Sequence, residues 1–230
     1  MDDNDWGISM ENTNTPIRYT TIKDQVYNIL KEQILNGTFQ PGEWLQEAKI
    51  AKSLSVSRSP VREALQQLLG DGLAINIPNR GVFVKKITVK DMQDIFEVRS
   101  CFESIGIQKS VDTLTDEVRD ELLEIKDNLI KSYETGDKAS YIMEDTRLHK
   151  LIIKLSGNQL IIDLSVRIYT MEHLSRTTSL YDDKRFRESL AEHVGVIDNI
   201  LEGNTEQALV YNERHLRLAR EVSLRQVDAT

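Results

Sequence analysis

The sequence predicts a mainly α-helical protein, with an N-terminal winged helix-turn-helix followed by a C-terminal all-helical bundle. Three observations lead to this fold class. Apolar residues recur at helical spacing along most of the 230 residues. Two short β-type runs flank a turn between Leu73 and Val84, as in a hairpin. After Thr88 every periodic segment is helical.

The N-terminal module contains three predicted helices and then the hairpin. The first runs from Thr20 to Gly37, and the third begins at Ser57. The second runs from 45 to 54 with Ala48, Ala51 and Leu54 inward. Glycine marks the end of the third helix and the turn of the hairpin. Three helices and one hairpin in about 65 residues are the order of a winged helix. The inward face of the first helix is predicted to hold Ile22, Val26, Ile29, Leu30 and Ile34.

Six further helices are predicted, near residues 89–112, 116–134, 138–155, 158–180, 185–202 and 205–225. Their connections are short, so neighbouring helices should pack antiparallel in a bundle. We therefore divide the chain into a flexible tail (1–18), a winged helix-turn-helix domain (19–87) and a helical domain (88–230).

Charge is unevenly distributed along the chain. The net charge is −8, but residues 16–86 carry ten Lys and Arg against six Asp and Glu, a net charge of +4. Contact with nucleic-acid phosphates requires local basic charge and not a basic whole protein. No apolar run approaches the roughly 18 residues of a membrane helix. The single cysteine, Cys101, is predicted to be buried, and its isolation fits a cytoplasmic protein.

Basic and polar residues at the start of the third helix predict a DNA-reading surface. Arg58 and Arg62 are four residues apart and share the face opposite the apolar stripe. Arginine can contact guanine or grip phosphate, and a helix N-terminus can bind phosphate. The alternative is that these arginines are only solvated. The candidate contacts also include Ser57 and Ser59, and Asn79, Arg80 and Gly81 at the hairpin tip.

Four polar residues of the helical domain occupy positions on apolar stripes. Asp145 and His149 are at i and i+4 of one helix, His193 lies on another, and His215 on the last. A buried carboxylate or imidazole must be paired or ligated. Three imidazoles and one carboxylate predict a divalent metal site, for Zn²⁺ or alternatively Ni²⁺ or Mn²⁺. The alternative is that each histidine is a hydrogen-bonded core residue.

The N-terminal module resembles the GntR family of bacterial transcription regulators. The match runs through Gly37-Thr38-Phe39-Gln40-Pro41-Gly42, then Val56 to Leu65, then Gly72-Leu73 and Asn79-Arg80-Gly81. The resemblance implies DNA contacts from Arg58, Arg62 and the hairpin tip. Some relatives also use an arginine of the second helix. Ala48 takes that position here, and Lys49 beside it is the candidate contact.

Residues 89–222 resemble the ligand-binding domain of the FadR-type branch of that family. The carrying residues are Glu97-Val98-Arg99 with Glu103, Asp145 with His149, Ser156-Gly157-Asn158, Glu192-His193, and Ala208 with His215. The resemblance implies a metal held by Asp145 and the three histidines, with an organic-acid effector near it. Arg99 is the candidate contact for the carboxylate of the effector, since a planar guanidinium can donate two parallel hydrogen bonds to a carboxylate. The alternative is an ion pair with Glu103.

The sequence thus favours a regulator of double-stranded operator DNA, by the resemblance a repressor, controlled by a small carboxylate. Operators of such proteins are two-fold, so a homodimer is expected, with no role at a membrane. Two alternatives stay open. The metal itself can be the signal, or the same residues can activate water in a metal-dependent enzyme.

Overall fold

A computed structural model describes residues 20–176 and 183–228, without the side chains of 173–176, 183 and 228. The predicted mainly α fold class is confirmed, and the predicted tail over residues 1–18 lies outside the described residues. The N-terminal part contains α1 (Ile22–Leu35), α2 (Glu47–Ser53), α3 (Arg58–Gly70), β1 (Ala74–Ile77) and β2 (Gly81–Val84). The C-terminal part contains α4 (Val89–Thr113), α5 (Asp116–Thr135), α6 (Lys138–Lys154), α7 (Gln159–Arg176), α8 (Asp183–Leu201) and α9 (Thr205–Asp228).

The core of the winged helix differs in detail from the predicted stripe of α1. Ile22 and Ile29 are 57% and 39% exposed, whereas Tyr27 is buried. The Tyr27 hydroxyl donates a hydrogen bond to Asp71, so the ring is drawn inward against the end of α3. In α2 the prediction for Ala48 was also wrong, because Ala48 is exposed and Ile50 takes the buried position.

The wing is a hairpin extended by a third backbone segment. β1 and β2 pair antiparallel, with Ala74 opposite Val84. The Leu45 amide donates to the Val82 carbonyl at 2.9 Å, and the Val84 amide donates to the Glu43 carbonyl at 2.8 Å. This added pairing, which the sequence did not predict, fixes the wing to the segment that enters α2.

The junction between the two domains is held by both polar and apolar contacts. Thr88 and Asp91 form a capping box that opens α4, and Lys85 Nζ lies 2.7 Å from Asp91 Oδ1. A small core next to this cap includes Met171 of α7. Its Sδ lies 3.1 Å from the position that a Cβ would occupy at Gly72, so α7 contacts the winged helix directly.

Two glycines allow close approach of the helices that carry the polar residues of the bundle. A Cβ at Gly106 of α4 would lie 1.9 Å from the Ile152 carbonyl oxygen of α6. A Cβ at Gly195 of α8 would lie 2.4 Å from the ring of Tyr211 on α9. These contacts bring α4 against α6, and α8 against α9.

The outer surface of the bundle corrects one expectation. Cys101 is exposed and not buried, because it faces away from the side of α4 that packs on α6 and α9. Within the described ranges, no helix combines the length and apolarity that a bilayer crossing requires.

Candidate DNA-binding surface and metal centre

The start of α3 leaves its polar groups exposed. Ser57 is the N-cap residue, and its side chain makes no capping hydrogen bond. Arg58 and Ser59 in the first turn are exposed, as is Lys49 on α2. The amide groups at a helix N-terminus are suited to bind an anion. This end of α3 can therefore accept a phosphate without first breaking a side-chain cap.

Arg62, one turn further along α3, is held by a bidentate ion pair with Glu47 of α2. Its Nε and Nη2 donate to the two carboxylate oxygens at 3.0 and 2.9 Å. The hydrogen bond from Arg62 lowers the pKa of Glu47, and the pKa of Arg62 is raised in return. Arg62 remains largely exposed, so the pair orients the guanidinium without removing it from the surface.

The tip of the wing presents its residues through a strained turn. Asn79 has a φ of 61°, in the left-handed region, and Asn79 and Arg80 are exposed. Gly81 has a φ of 100°, and a Cβ there would lie 2.9 Å from Trp44 Nε1. The Arg80 guanidinium lies 5.6 Å from the Phe83 ring centroid. Glycine is thus required at 81 for both its conformation and its closeness to Trp44.

The four predicted metal ligands lie together in the interior of the bundle. Their nitrogen and carboxylate oxygen atoms are all within 4.8 Å of one another. His149 Nε2 is 3.2 Å from His215 Nε2, and His193 Nε2 is 3.2 Å from Asp145 Oδ1. Each residue is buried. We call Asp145, His149, His193 and His215 the quartet.

Each imidazole of the quartet is oriented by a different neighbour at Nδ1. Glu103 Oε2 lies 3.0 Å from His149 Nδ1, and the Tyr141 hydroxyl lies 3.0 Å from His193 Nδ1. Glu192 Oε2 lies 3.1 Å from His215 Nδ1. In metal sites such partners fix the tautomer and aim the second nitrogen at the ion. All three Nε2 atoms accordingly face the centre of the quartet.

The distances within the quartet are compatible with a metal site: two separations are 3.2 Å, and His149 Nε2 lies 3.7 Å from Asp145 Oδ1. Ligand atoms about 2.1 Å from one ion lie roughly 3.0–3.5 Å apart, which brackets both 3.2 Å separations. His193 Nε2 faces Asp145 Oδ1 at 3.2 Å without a well-aligned hydrogen bond. An ion between these two atoms would give the buried nitrogen a ligand contact.

Electrostatics keep most of the quartet able to bind a cation. Burial lowers the pKa of His193 to about 4, and burial together with the neighbouring imidazoles lowers that of His215. Burial and Arg99 oppose protonation of His149, but Glu103 and Asp145 outweigh them and raise its pKa. His193 and His215 are therefore neutral near pH 7, as metal binding requires.

Arg99 is fully buried and lies between two carboxylates. Its Nε donates to Glu103 at 2.6 Å, and its Nη1 donates to Glu172 of α7. Burial acts to raise the pKa of Glu103, but Arg99 and His149 outweigh it and lower that pKa to about 2. The ion pair with Glu103, one of the two interpretations of Arg99, is present. Arg99 also lines the cavity beside the quartet, as an effector contact would require.

A second buried arginine completes this cavity. Arg185 Nη1 donates to Glu192 at 2.8 Å, and its Nη2 lies 3.2 Å from His215 Nδ1. The cavity is small, about 30 Å³, and is lined by Arg99, Arg185 and residues of the quartet. Two guanidinium groups thus flank one space next to the candidate ion site.

Sequence reasoning missed Arg185, Tyr141 and Glu172. Two of them carry a signal in their spacing. Arg185 lies two helical turns before His193, and Tyr141 lies one turn before Asp145. Glu172 has no such signal, because its position depends on how α7 packs against α4.

Comparisons with known proteins agree with both halves of the structure. Residues 22–84 match the bacterial regulatory proteins of the gntR family, and residues 94–218 match the FCD domain. The HTH-type transcriptional regulator YdhC of Bacillus subtilis is 31% identical over 80% of this chain and 83% of its own length.

Solved structures give the same result. A GntR regulator from Rhodococcus sp. RHA1 has a TM-score of 0.74 and 28% identity, covering 88% of this chain and 97% of that one. The metal-free FCD domain of the regulator TM0439 has a TM-score of 0.55 and 27% identity, covering 63% of this chain and 99% of that one.

The proteins that match are transcriptional regulators, which sets the metal-dependent enzyme aside. The family model of the FCD domain covers more than half of the chain, and the N-terminal match accounts for the winged helix. The chain therefore belongs to the gntR family of bacterial regulatory proteins, in its FadR-type branch with an FCD domain, and is a DNA-binding transcriptional regulator.

Proposed function

We propose that this regulator is a repressor released by a small carboxylate effector, which binds beside a divalent metal held by the quartet. In this proposal residues 19–87 bind the operator and residues 88–230 bind the effector and dimerise. The observation that carries it is the arrangement of the imidazoles. Each has Nδ1 held from outside, while Nε2 faces a common centre with Asp145.

The donor set is consistent with zinc, and nickel or manganese are alternatives. Three imidazole nitrogens and one carboxylate oxygen suit Zn²⁺, although the same set binds several first-row metals. A bound metal would supply a Lewis-acidic position for an effector oxygen. In this proposal Arg99 and Arg185 act from the protein side, since both guanidinium groups line the same cavity and can orient a carboxylate.

For operator binding we propose a surface made by α3, α2 and the wing. Arg58 and Arg62 would contact base edges or phosphates, and the N-terminus of α3 would receive a phosphate. A homodimer would place two such surfaces on a two-fold operator. A bound dimer covers its site, so repression of an overlapping promoter is the simplest outcome. The contacts proposed are Lys49, Ser57, Arg58, Ser59, Arg62, Asn79, Arg80 and Gly81.

The test of the metal site is the metal content of the purified full chain, beside two histidine variants. We expect close to one zinc, nickel or manganese ion per chain in the unaltered protein. His193→Ala should lose most of the metal and also melt at a lower temperature, because metal binding is linked to folding. His173→Ala, which alters the chain's fourth histidine, should keep its metal. A protein that takes up no divalent ion would refute the site.

The small cavity favours a second candidate function, in which the ion is itself the signal. A space of about 30 Å³ accommodates an ion and one or two waters without any rearrangement of its lining. Titration of DNA affinity with metal separates the two candidates. If the ion is the signal, added metal alone changes the affinity; if it anchors an effector, only a carboxylate added to metal-loaded protein does.

A further inference from the structure

Arg99 has more hydrogen-bonding capacity than its two carboxylate partners use. Its side chain is 1% exposed. Nε and Nη1 are occupied by Glu103 and Glu172, while Nη2 is buried and has no hydrogen-bond partner among the described residues. A buried guanidinium nitrogen left unpaired is unfavourable. Arg99 is therefore prepared for one further acceptor on the cavity side.

The two carboxylates on Arg99 are not equivalent. Glu103 also orients a member of the quartet, since its second oxygen lies 3.0 Å from His149 Nδ1. Glu172 comes from α7, which supplies no member of the quartet. Removal of Glu103 from Arg99 would disturb the metal ligands, whereas removal of Glu172 would leave them in place. Glu172 is the carboxylate that can be exchanged.

Space and charge both favour the departure of a side chain when an anion enters. The cavity of about 30 Å³ is lined by Arg99 and Glu172, and in this arrangement it has room for one or two waters, so a larger molecule reaches Arg99 when a lining side chain moves. In the described chain the buried Asp, Glu and Arg residues amount to four carboxylates and two guanidinium groups. A divalent ion would bring these groups close to neutrality, and Arg214 also lies 3.6 Å from Glu192 at the rim. A further buried carboxylate is therefore more favourable if one of the present carboxylates moves away.

We propose that Glu172 is a built-in substitute for the effector: the carboxylate of the effector replaces Glu172 on Arg99, and α7 carries this exchange to the winged helix. This inference rests on the proposed function and adds its regulation. It makes Glu172 a competitor that sets the effector concentration at which the regulator responds.

The path from Glu172 to the DNA-binding domain is short. The preceding residue, Met171, places its Sδ 3.1 Å from the position of a Cβ at Gly72, and Arg167 Nε lies 3.4 Å from the same point. Gly72 follows the end of α3, the helix that carries Arg58 and Arg62. A displacement of α7 would therefore change the contacts of the segment that joins the recognition helix to the wing.

The first measurement is calorimetric binding of acetate, malonate and succinate to the zinc-loaded full chain. In Glu172→Gln the competing charge is gone, and the amide can still accept a hydrogen bond from Arg99. We expect the probe that binds best to bind on the order of tenfold more tightly to this variant. Asp163→Asn removes the same charge from an exposed site on α7 and should leave the affinity unchanged. Equal or weaker binding to Glu172→Gln would overturn the proposal.

The second measurement tests the transmission by hydrogen exchange. In the unaltered protein, the probe should raise amide exchange in α7 and in residues 70–73. Glu172→Gln should show the same faster exchange without any probe, and Asp163→Asn should not. A change confined to the cavity, with residues 70–73 unaffected, would refute the coupling.

The two proposals fail in different ways. If zinc does not bind, or if zinc binds and no carboxylate probe does, the proposed function fails. If both bind and Glu172→Gln has no advantage, only the substitution by Glu172 fails. Should Glu172→Gln unfold, Glu172→Asp replaces it, because its shorter side chain should hold Arg99 less well and again tighten probe binding.

Discussion

Several candidate binding side chains of this protein are held in position by neighbouring residues. Arg62 illustrates this at the protein surface, where its Nε and Nη2 both donate to the Glu47 carboxylate. An exposed arginine normally loses rotamer freedom when it contacts DNA. Because Glu47 fixes the guanidinium plane beforehand, less of that freedom would be lost if Arg62 contacts DNA as proposed.

Loss of Arg62 should weaken operator binding strongly. We expect Arg62→Ala to lower the affinity for a duplex, selected by this protein from a random library, by roughly 10- to 100-fold, as loss of an arginine–base or arginine–phosphate contact does. Arg119→Ala, an exposed arginine of α5, is the control and should bind like the unaltered protein. Fluorescence anisotropy gives both affinities. If Arg62→Ala bound equally well, α3 would not be the recognition helix.

The quartet could be predicted from the sequence because each member breaks an apolar pattern. A histidine at a position that helical periodicity assigns to the interior can be recognised from the sequence alone as a candidate ligand. Glu172 gave no comparable signal, since its meeting with Arg99 depends on how α7 packs against α4. Arg185 carries only the weaker signal of its spacing from His193. The sequence also assigned Cys101 to the interior, because a small apolar residue on a helix is compatible with either side.

At the scale of elements, close helix contacts at Gly106 and Gly195 bring together the helices that carry the quartet and its partners. α4 reaches α6 at Gly106, and this approach lets Glu103 meet His149. The sequence predicted the helices within a few residues but not these contacts. In α1 it predicted the buried face correctly at Val26, Leu30 and Ile34. It missed Tyr27, which is buried with a hydrogen bond to Asp71, and it wrongly placed the exposed Ile29 inward.

A methyl group at Gly106 should separate α4 from α6. The atom it would meet is the backbone oxygen of Ile152, which cannot turn away as a side chain would. Overpacking of this kind typically costs about 1–3 kcal/mol. We therefore expect Gly106→Ala to unfold at a lower urea concentration and to retain less metal.

The control for this prediction is Gly70→Ala at the end of α3, where a Cβ would meet no atom within 4 Å. This variant should be as stable as the unaltered protein or slightly more so, because alanine favours helix. If both variants had the same stability, the close packing at Gly106 would not determine the position of α4.

At the scale of the whole molecule, charge is divided between the two domains. Residues 16–86 carry a net charge of +4 within a chain of −8. The acidic helical domain repels the phosphate backbone while the winged helix attracts it. This division favours an orientation in which only the winged helices approach the duplex.

The affinity for DNA should therefore fall steeply as salt rises. If Lys49, Arg58, Arg62 and Arg80 all neutralise phosphates in both protomers of a dimer, the logarithm of the affinity should fall against the logarithm of salt with a slope of roughly −7. Anisotropy titrations at salt concentrations from about 50 to about 300 mM measure this slope. A slope near zero would contradict a surface of this charge.

The contact between Trp44 and the wing has an optical consequence. The indole is 49% exposed, stacks on Phe83 and lies against Gly81 at the tip. Its emission depends on the water around the ring, and a duplex seated on the wing would displace that water. The chain thus carries an intrinsic fluorophore, Trp44, where contact with DNA is expected. A change in its fluorescence would report the binding of DNA to the wing without an attached dye.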